Sequence, residues 1–301
     1  MKRLMLIVNP NAGKGGYKSA LGEALYVFYT GGYLPVVYFT AAPGDAVRLA
    51  QEYASGYDLV VCIGGDGTLS EVTSGLADLD DVPDLGYLPM GTANDVASSL
   101  SLSRNAAEAA HTVVAGRSMP LDIGKFNGTE HFTYIAAFGA FTDVSYLTPQ
   151  QNKQALGYFA YVLEGMTRLP KLPNVRAVIE YDDGTIEGEF IFGAVTNSTS
   201  LAGLVRLDND FVELGDGLFE VILVRTPKSI IDLQTAFSEF IAKKYSGQQI
   251  TILHSRKVRF CFPEPVAWTR DGENGGIHSE VVLENLQHAV NIRVSRKITI
   301  N

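Results

Sequence analysis

The segment LVVCIGGDGTLSEV, residues 59–72, runs an apolar stretch directly into Gly64, Gly65, Asp66, Gly67 and Thr68. Glycines at such a place leave backbone N–H groups open to a ligand, and the helix that follows offers its N-terminus to phosphate. Asp66 would repel a phosphate met directly, so its chemistry there is to hold a magnesium ion or to cap the helix. A tight strand-to-helix turn capped by Asp66 or Thr68 is the plainer reading. Neither common phosphate fingerprint fits. Ser70 stands where the dinucleotide motif has its third glycine, and the loop has no Walker lysine.

Two further loops carry related chemistry. NPNAGKGG, residues 9–16, brings Gly13, Gly15, Gly16 and one cation, Lys14, to the start of a helix, with Val8 where a Walker loop begins on glycine. It reads equally as a plain loop or as a phosphate cradle. PMGTAND, residues 89–95, sets Gly91, Thr92, Asn94 and Asp95 where they can cap a helix and hold a ribose or phosphate as well. Late in the chain, WTRDGENGG, residues 268–276, gathers Arg270, Asp271 and Glu273 beside glycines. Two carboxylates two residues apart can face the same way, one holding a metal or an arginine while the other takes a proton from a hydroxyl. A polar surface loop is the alternative. Of the remaining Asp-Gly pairs, Asp183-Gly184 reads as a hairpin turn, and Asp216-Gly217 has the same local pattern. The five histidines lack metal-ligand spacing, and Ser198 has no base near it in the sequence.

These loops need elements to hold them. Apolar strands are expected at 4–8, 35–40, 58–63 and 85–88, with helices at about 17–30, 44–55, 68–77 and 94–115. That alternation predicts a parallel sheet covered on both faces, with its ligand beyond the carboxyl ends of the strands. After SMPLDIGKFNG the pattern becomes alternating strands, at 131–139, 174–181, 185–195, 218–224, 250–254, 257–262, 281–285 and 289–294, with helices at about 150–168 and 228–244. An antiparallel sandwich is expected there. The apolar stripe in 155–170 reads as core or as the wall of an acyl-chain cleft. The tail from 289 could return to the first domain.

The chain has 301 residues, 46% of them hydrophobic, enough for about two domains. A formal charge of −9 argues against nucleic acid as a partner, since phosphate-backbone binding needs clustered Lys and Arg. Cys62 and Cys261 read as buried thiols, which suits a reducing cytoplasm. Asn9 and Pro10 cut the first apolar run too short for a signal peptide, and no stretch approaches the roughly 18 apolar residues of a membrane span. A local basic patch from Arg168, Lys171, Arg176, Lys243 and Lys244 could meet a membrane.

Taken in order, NPNAGKGG, GGDGTLSEV, MGTAND and RDGENGG resemble the soluble bacterial diacylglycerol kinases, and LDIGK (121–125), GYFAYVLEGMTRLP (157–170) and TNS (196–198) extend the likeness over nearly the whole chain. GGDG alone is shared with NAD kinases and phosphofructokinases. The resemblance implies a Rossmann-like α/β nucleotide domain over 1–121, rejoined by 289–301, and a lipid-binding β-sandwich over 122–288. It implies ATP contacts at Asn9, Pro10, Asn11, Ala12, Gly13 and Lys14, at Thr40, at Gly64, Gly65, Asp66, Gly67, Thr68, Leu69 and Ser70, and at Thr92. Glu273 or Asp271 would receive the proton of the lipid hydroxyl, with Glu273 preferred. ELGDGLF matches a structural magnesium site, Asp216 binding through its side chain and Glu213 and Leu218 through carbonyls. Gly215 stands where the family commonly has another aspartate, and Val96 and Ser98 where it often has Phe and Arg.

The function expected from this likeness is magnesium-dependent phosphorylation of diacylglycerol to phosphatidate by ATP, in a cytoplasmic protein peripheral at the inner face of the membrane. A homodimer is left open. The rivals are a kinase of the same architecture acting on another lipid or on NAD, and a nucleotide- or lipid-binding regulator without turnover. The RDGE and GTAND forms argue against the NAD reading, and the intact Asp66, Asp271 and Glu273 against the regulator.

Overall fold

A computed structural model describes residues 1–140, 173–198, 200–201, 205–206, 214–241 and 246–296. The chain opens with β1 (Lys2–Val8), α1 (Tyr17–Thr30), β2 (Tyr33–Phe39), α2 (Asp45–Tyr53), β3 (Leu59–Gly64), α3 (Asp66–Ala77) and β4 (Asp84–Pro89). The four strands pair in parallel in the order β2-β1-β3-β4. Successive side chains of a strand face opposite sides, so each central strand feeds two cores. Leu4, Leu6 and Val8 pack with Ala24, Val27 and Phe28 of α1, whereas Met5 and Ile7 join Leu49 of α2 and Leu69, Val72 and Leu76 of α3. Continuous apolar runs make sense only with this double cover. All four strands point one way, so their following loops crowd one rim.

The expected helix at 94–115 is two helices, α4 (Asp95–Ser99) and α5 (Ala106–Ala115). Ser101 takes a left-handed conformation (φ +50°), and Asn105 caps α5 by accepting from the Glu108 N–H at 3.0 Å. The Asn105-x-x-Glu108 spacing is a legible start signal that the periodicity of the segment conceals.

β5 (Arg117–Phe126) follows, a strand the sequence reading lacked, then β6 (Glu130–Phe132), β7 (Ile135–Gly139), β8 (Val175–Tyr181) and β9 (Gly184–Thr196). Two-residue strands β10 (Ser200–Leu201) and β11 (Val205–Arg206) pair with each other. β12 (Phe219–Arg225), α6 (Ile230–Ile241), β13 (Ile250–Ser255), β14 (Lys257–Arg270) and β15 (Glu273–Val294) complete the order. The expected helix at 150–168, with its apolar stripe, lies outside the described residues.

The fold is thus an α/β part joined to a β part. Apart from the β10–β11 pair, the strands of the β part join one hydrogen-bonded sheet that folds over and runs on into the parallel strands. β14 pairs with β8 through Val258–Cys261 and with β7 through Trp268–Arg270, and β9 pairs with both β8 and β7. Register shifts between Cys261 and Val266 and between Ala267 and Thr269 bend β14 from one layer into the other. Phe138, Phe190, Phe260 and Trp268 fill the interior of this fold, with Trp268 5.0–5.1 Å from Phe138 and Phe260 between ring centroids. β15 continues past the β part: Leu283–Val294 pairs with β5, and Ile292 meets Leu85 of β4 in parallel. One long strand therefore joins the antiparallel sheet to the parallel one and carries the RDGE turn at its start.

Candidate active site

The rim loops and the start of β15 enclose a cleft of about 420 Å³. Asn9, Asn11, Ala12 and Gly13 line it from the loop after β1, and Thr40 to Pro43 from the loop after β2. Gly65, Gly67, Thr68 and Glu71 come from the start of α3, Gly91 and Thr92 from the loop after β4, and Glu273 from the far side. The first two loops are tied to the third. Asn9 Nδ2 donates to Thr68 Oγ1 at 2.9 Å, and the Asn9 N–H donates to the Ile63 carbonyl at 2.9 Å.

Gly13 adopts φ +63° in the 3₁₀ turn Ala12–Gly15, and a Cβ there would lie 2.7 Å from the Met90 carbonyl oxygen. Glycine alone suits both constraints. Gly13→Ala is expected to raise the KM for nucleotide about tenfold, the equivalent of the roughly 1–2 kcal/mol of left-handed strain, while kcat changes less. Initial rates against nucleotide concentration check it, and an unchanged KM would place the nucleotide elsewhere.

On the opposite wall, Gly67 faces Glu273. A Cβ at Gly67 would stand 3.4 Å from Glu273 Oε1, so the two motifs approach to van der Waals distance. Glu273 is exposed, and its carboxylate is open to the cleft. Asp271 is different in every respect. It is buried, with φ +48°, and its carboxylate accepts from the Thr133 N–H at 2.7 Å and from the Tyr134 and Ile135 N–H groups at 3.0 Å each. Ser70 Oγ on α3 donates to Asp271 Oδ2 as well. Burial pushes the Asp271 carboxyl up from its ordinary value, and the Ser70 and backbone hydrogen bonds pull against that shift. Thr73 Oγ1, one turn along α3, meets Thr133 Oγ1 at 2.5 Å. Two hydroxyls of α3 thus latch the glycine loop onto the segment that cradles Asp271.

Asp66 does not line the cleft. Its carboxylate turns beneath the loop, where burial pushes the carboxyl up from its ordinary value and the backbone N–H groups of Asp95, Asn94 and Val96 at the start of α4 partly offset that. Asp66 Oδ1 is buried without a hydrogen-bond partner. An orphaned carboxylate oxygen is a donor that suits a hard divalent cation. Of the other expected contacts, Pro10, Gly64 and Ser70 stand off the cleft wall, Leu69 has its side chain in the core, and Lys14 lies in the 3₁₀ turn.

The loop expected to hold a structural cation is ordered by hydrogen bonds within it and from Asn285. Asp216 Oδ1 accepts from the Leu218 N–H at 2.8 Å, and the Leu218 carbonyl accepts from Asn285 Nδ2 at 3.1 Å. Glu213 lies outside the described residues. Nearby Glu220 is buried, and burial pushes its carboxyl up to about 9, so it carries a proton at neutral pH. Among the described residues no group of three His, Cys, Asp or Glu is placed to hold a metal. Of the basic patch, Arg176 pairs with Glu187 at 2.9 Å, and Arg168, Lys171, Lys243 and Lys244 lie outside the described residues.

The structure adds residues that the sequence did not single out. Glu71 and Asp45 fasten the loop after β2 with their carboxylates. Tyr134 is buried, and its hydroxyl lies 3.8 Å from where a Cβ on Gly272 would stand, against the RDGE turn. Burial first, then the charges of Asp271, Asp66, Asp95 and Glu273, hold this phenol protonated. Glu71 has a signal in its place one helical step beyond GGDGTLS, whereas nothing local marks Tyr134.

The model of the diacylglycerol kinase catalytic domain matches residues 3–126. A diacylglycerol kinase of Bacillus subtilis is 36% identical over 279 residues, covering 92% of this chain and 91% of that protein. A diacylglycerol kinase of Staphylococcus epidermidis is 39% identical over 224 residues, 74% of this chain and 70% of that one. A crystal structure of a diacylglycerol kinase from Bacillus anthracis superposes with a TM-score of 0.77 at 26% identity, covering 99% of this chain and 98% of that one. No helix among the described residues is long and apolar enough to cross a membrane.

Proposed function

The chain belongs to the diacylglycerol kinase family, and from that membership we propose that it moves the γ-phosphoryl group of ATP to the primary hydroxyl of a diacylglycerol-like lipid, giving phosphatidate. One observation carries this reading: Gly67 and Glu273 face each other across a single cleft, with Ser70 bonded to Asp271 behind them. Phosphoryl transfer asks for in-line placement and neutralised charge, with little covalent work by the protein. Glu273 is the exposed carboxylate and takes the proton from the lipid hydroxyl. The lipid oxygen bonds to the γ-phosphorus as the bond to the β–γ bridging oxygen breaks, and ADP leaves. Asp271, with four donors on its two oxygens, positions the turn and Ser70 and leaves the proton to Glu273.

The family uses a divalent metal with ATP, and magnesium is the ion we propose. Asp66, from beneath the glycine loop, would hold it through its unpartnered oxygen, and when bound it would supply positive charge against the phosphates. Contacts with ATP come from Asn9, Asn11, Ala12, Gly13, Thr40, Gly65, Gly67, Thr68 and Thr92, with Lys14 as the local cation. Residues 1–121 with 289–301 form the nucleotide-binding unit in this reading and 122–288 the lipid-binding one. Because the acceptor resides in a bilayer, the reading includes a cytoplasmic protein in peripheral contact with the inner face of the membrane. Purified protein given γ-labelled ATP, magnesium and vesicles containing diacylglycerol is expected to yield labelled phosphatidate on thin-layer separation. Nucleotide binding with no phospholipid product would overturn the assignment.

A further inference from the structure

The loop after β2 has no backbone donor left to offer. The Thr40 N–H donates to the Val8 carbonyl at 3.0 Å, and the Ala41 and Ala42 N–H groups both donate to Asp45 Oδ2, at 2.8 and 2.9 Å. Pro43 has no N–H. The Gly44 and Ala46 N–H groups donate to the two oxygens of Glu71, at 2.9 and 3.0 Å, and the Asp45 N–H to the Ala42 carbonyl at 3.2 Å. The carbonyls of Ala41 and Pro43 have no donor among the described residues. Side chains add little: two alanine methyls and a proline ring beside the Thr40 hydroxyl. Asp45 stays an acceptor, because the amides of Ala41 and Ala42 hold its carboxyl below the ordinary range.

Position decides what this surface meets. The reacting phosphate belongs beside Gly67 and Glu273, at the β3 end of the cleft. From β3 the sheet runs to β1 and then β2, a step of roughly 10 Å at the usual strand spacing. A nucleoside triphosphate laid along the rim with its last phosphate at Glu273 brings its base over Thr40–Pro43.

We propose that the loop 40–46 is the base-recognition element of the cleft, and that Asp45 and Glu71, by occupying its N–H groups, make it accept from the exocyclic amine of adenine and reject a base with a carbonyl there. The inference rests on ATP as the donor and deepens that reading. An amine can bond to an idle backbone carbonyl. A base carbonyl at the same place meets oxygen and forfeits that hydrogen bond, at the moderate cost expected where Ala41 to Gly44 stand exposed to water.

Inosine triphosphate is the probe, since its base carries a carbonyl oxygen where adenine carries the amine. With diacylglycerol as acceptor, kcat/KM is expected to favour ATP over inosine triphosphate by about tenfold. Asp45→Ala frees the Ala41 and Ala42 N–H groups and should cut that preference by about tenfold. Asp45→Asn, whose amide oxygen can still accept both, should keep it. Circular dichroism verifies that the variants are folded; if Asp45→Ala is not, Glu71→Ala, which frees Gly44 and Ala46, is read the same way. Inosine triphosphate used within a few-fold of ATP by the unaltered protein overturns the inference, as does an alanine variant that discriminates as well as the parent. Failure of transfer from every nucleotide, ATP included, instead removes the donor reading and this inference with it.

Discussion

Glu273→Gln is expected to leave a folded protein that binds nucleotide normally and phosphorylates diacylglycerol about 10²–10⁴-fold more slowly, the usual worth of a general base. The substitution keeps shape and removes only the carboxylate's ability to take a proton. Glu273 is exposed, and no hydrogen bond or ion pair of its side chain is recorded among the described residues, so its loss should not move the thermal midpoint. Its place opposite Gly67, at the phosphate end of the cleft and far from the loop after β2, means the nucleotide KM should hardly change. The effect belongs in kcat, as expected for an interaction made only in the transition state. Steady-state rates against ATP at fixed lipid, with a melting curve beside them, separate these quantities. A kcat near that of the parent would remove Glu273 from the chemistry.

The parallel half of this fold is written locally, and the site is written only in part. Strands β1, β3 and β4 are apolar runs buried on both faces, so each announces itself, whereas β2, at the sheet edge, is apolar but half-exposed. Their loops are the motifs, and a parallel sheet brings such loops to one rim without further information. What local pattern cannot give is the partner 201 residues away: Ser70 and Asp271 meet because β15 runs on from the antiparallel sheet to pair beside β4. Spacing alone leaves Asp271 and Glu273 equivalent. Burial separates them, since one lies beneath the Thr133–Ile135 backbone and the other stands in the cleft. β5 escaped notice because Leu121 to Gly124 are buried in succession and lack the alternation of a half-exposed strand. The bends of β14 are equally silent, being set by which layer each half must join. Tyr134 sits in a run of buried residues, and only its neighbours in space give its hydroxyl meaning.

Asp271→Ala should act on stability and activity together, and the pairing of the two distinguishes a positioning carboxylate from a reacting one. Removing the side chain leaves the N–H groups of Thr133, Tyr134 and Ile135 and the hydroxyl of Ser70 without their acceptor in a buried place. Each such group costs about 1–3 kcal/mol, less where water can enter the vacated space. A net loss of roughly 3 kcal/mol, or about 5 °C in the thermal midpoint, is the expected scale. Activity should fall by about 100-fold, because the turn that aims Glu273 and the helix that carries the glycine loop lose their latch, and small misplacements are costly in this kind of transfer. Asp271→Asn keeps one accepting oxygen but turns an amide N–H₂ toward backbone donors, so it should fall between parent and alanine on both measures. Paired melting curves and kinetics for the two variants decide. If Asp271→Ala melts with the parent yet loses activity as completely as Glu273→Gln, the carboxylate acts on the reactants directly. The backbone cradle around it would then be holding a catalytic base, and the division of labour between the two acids would be reversed.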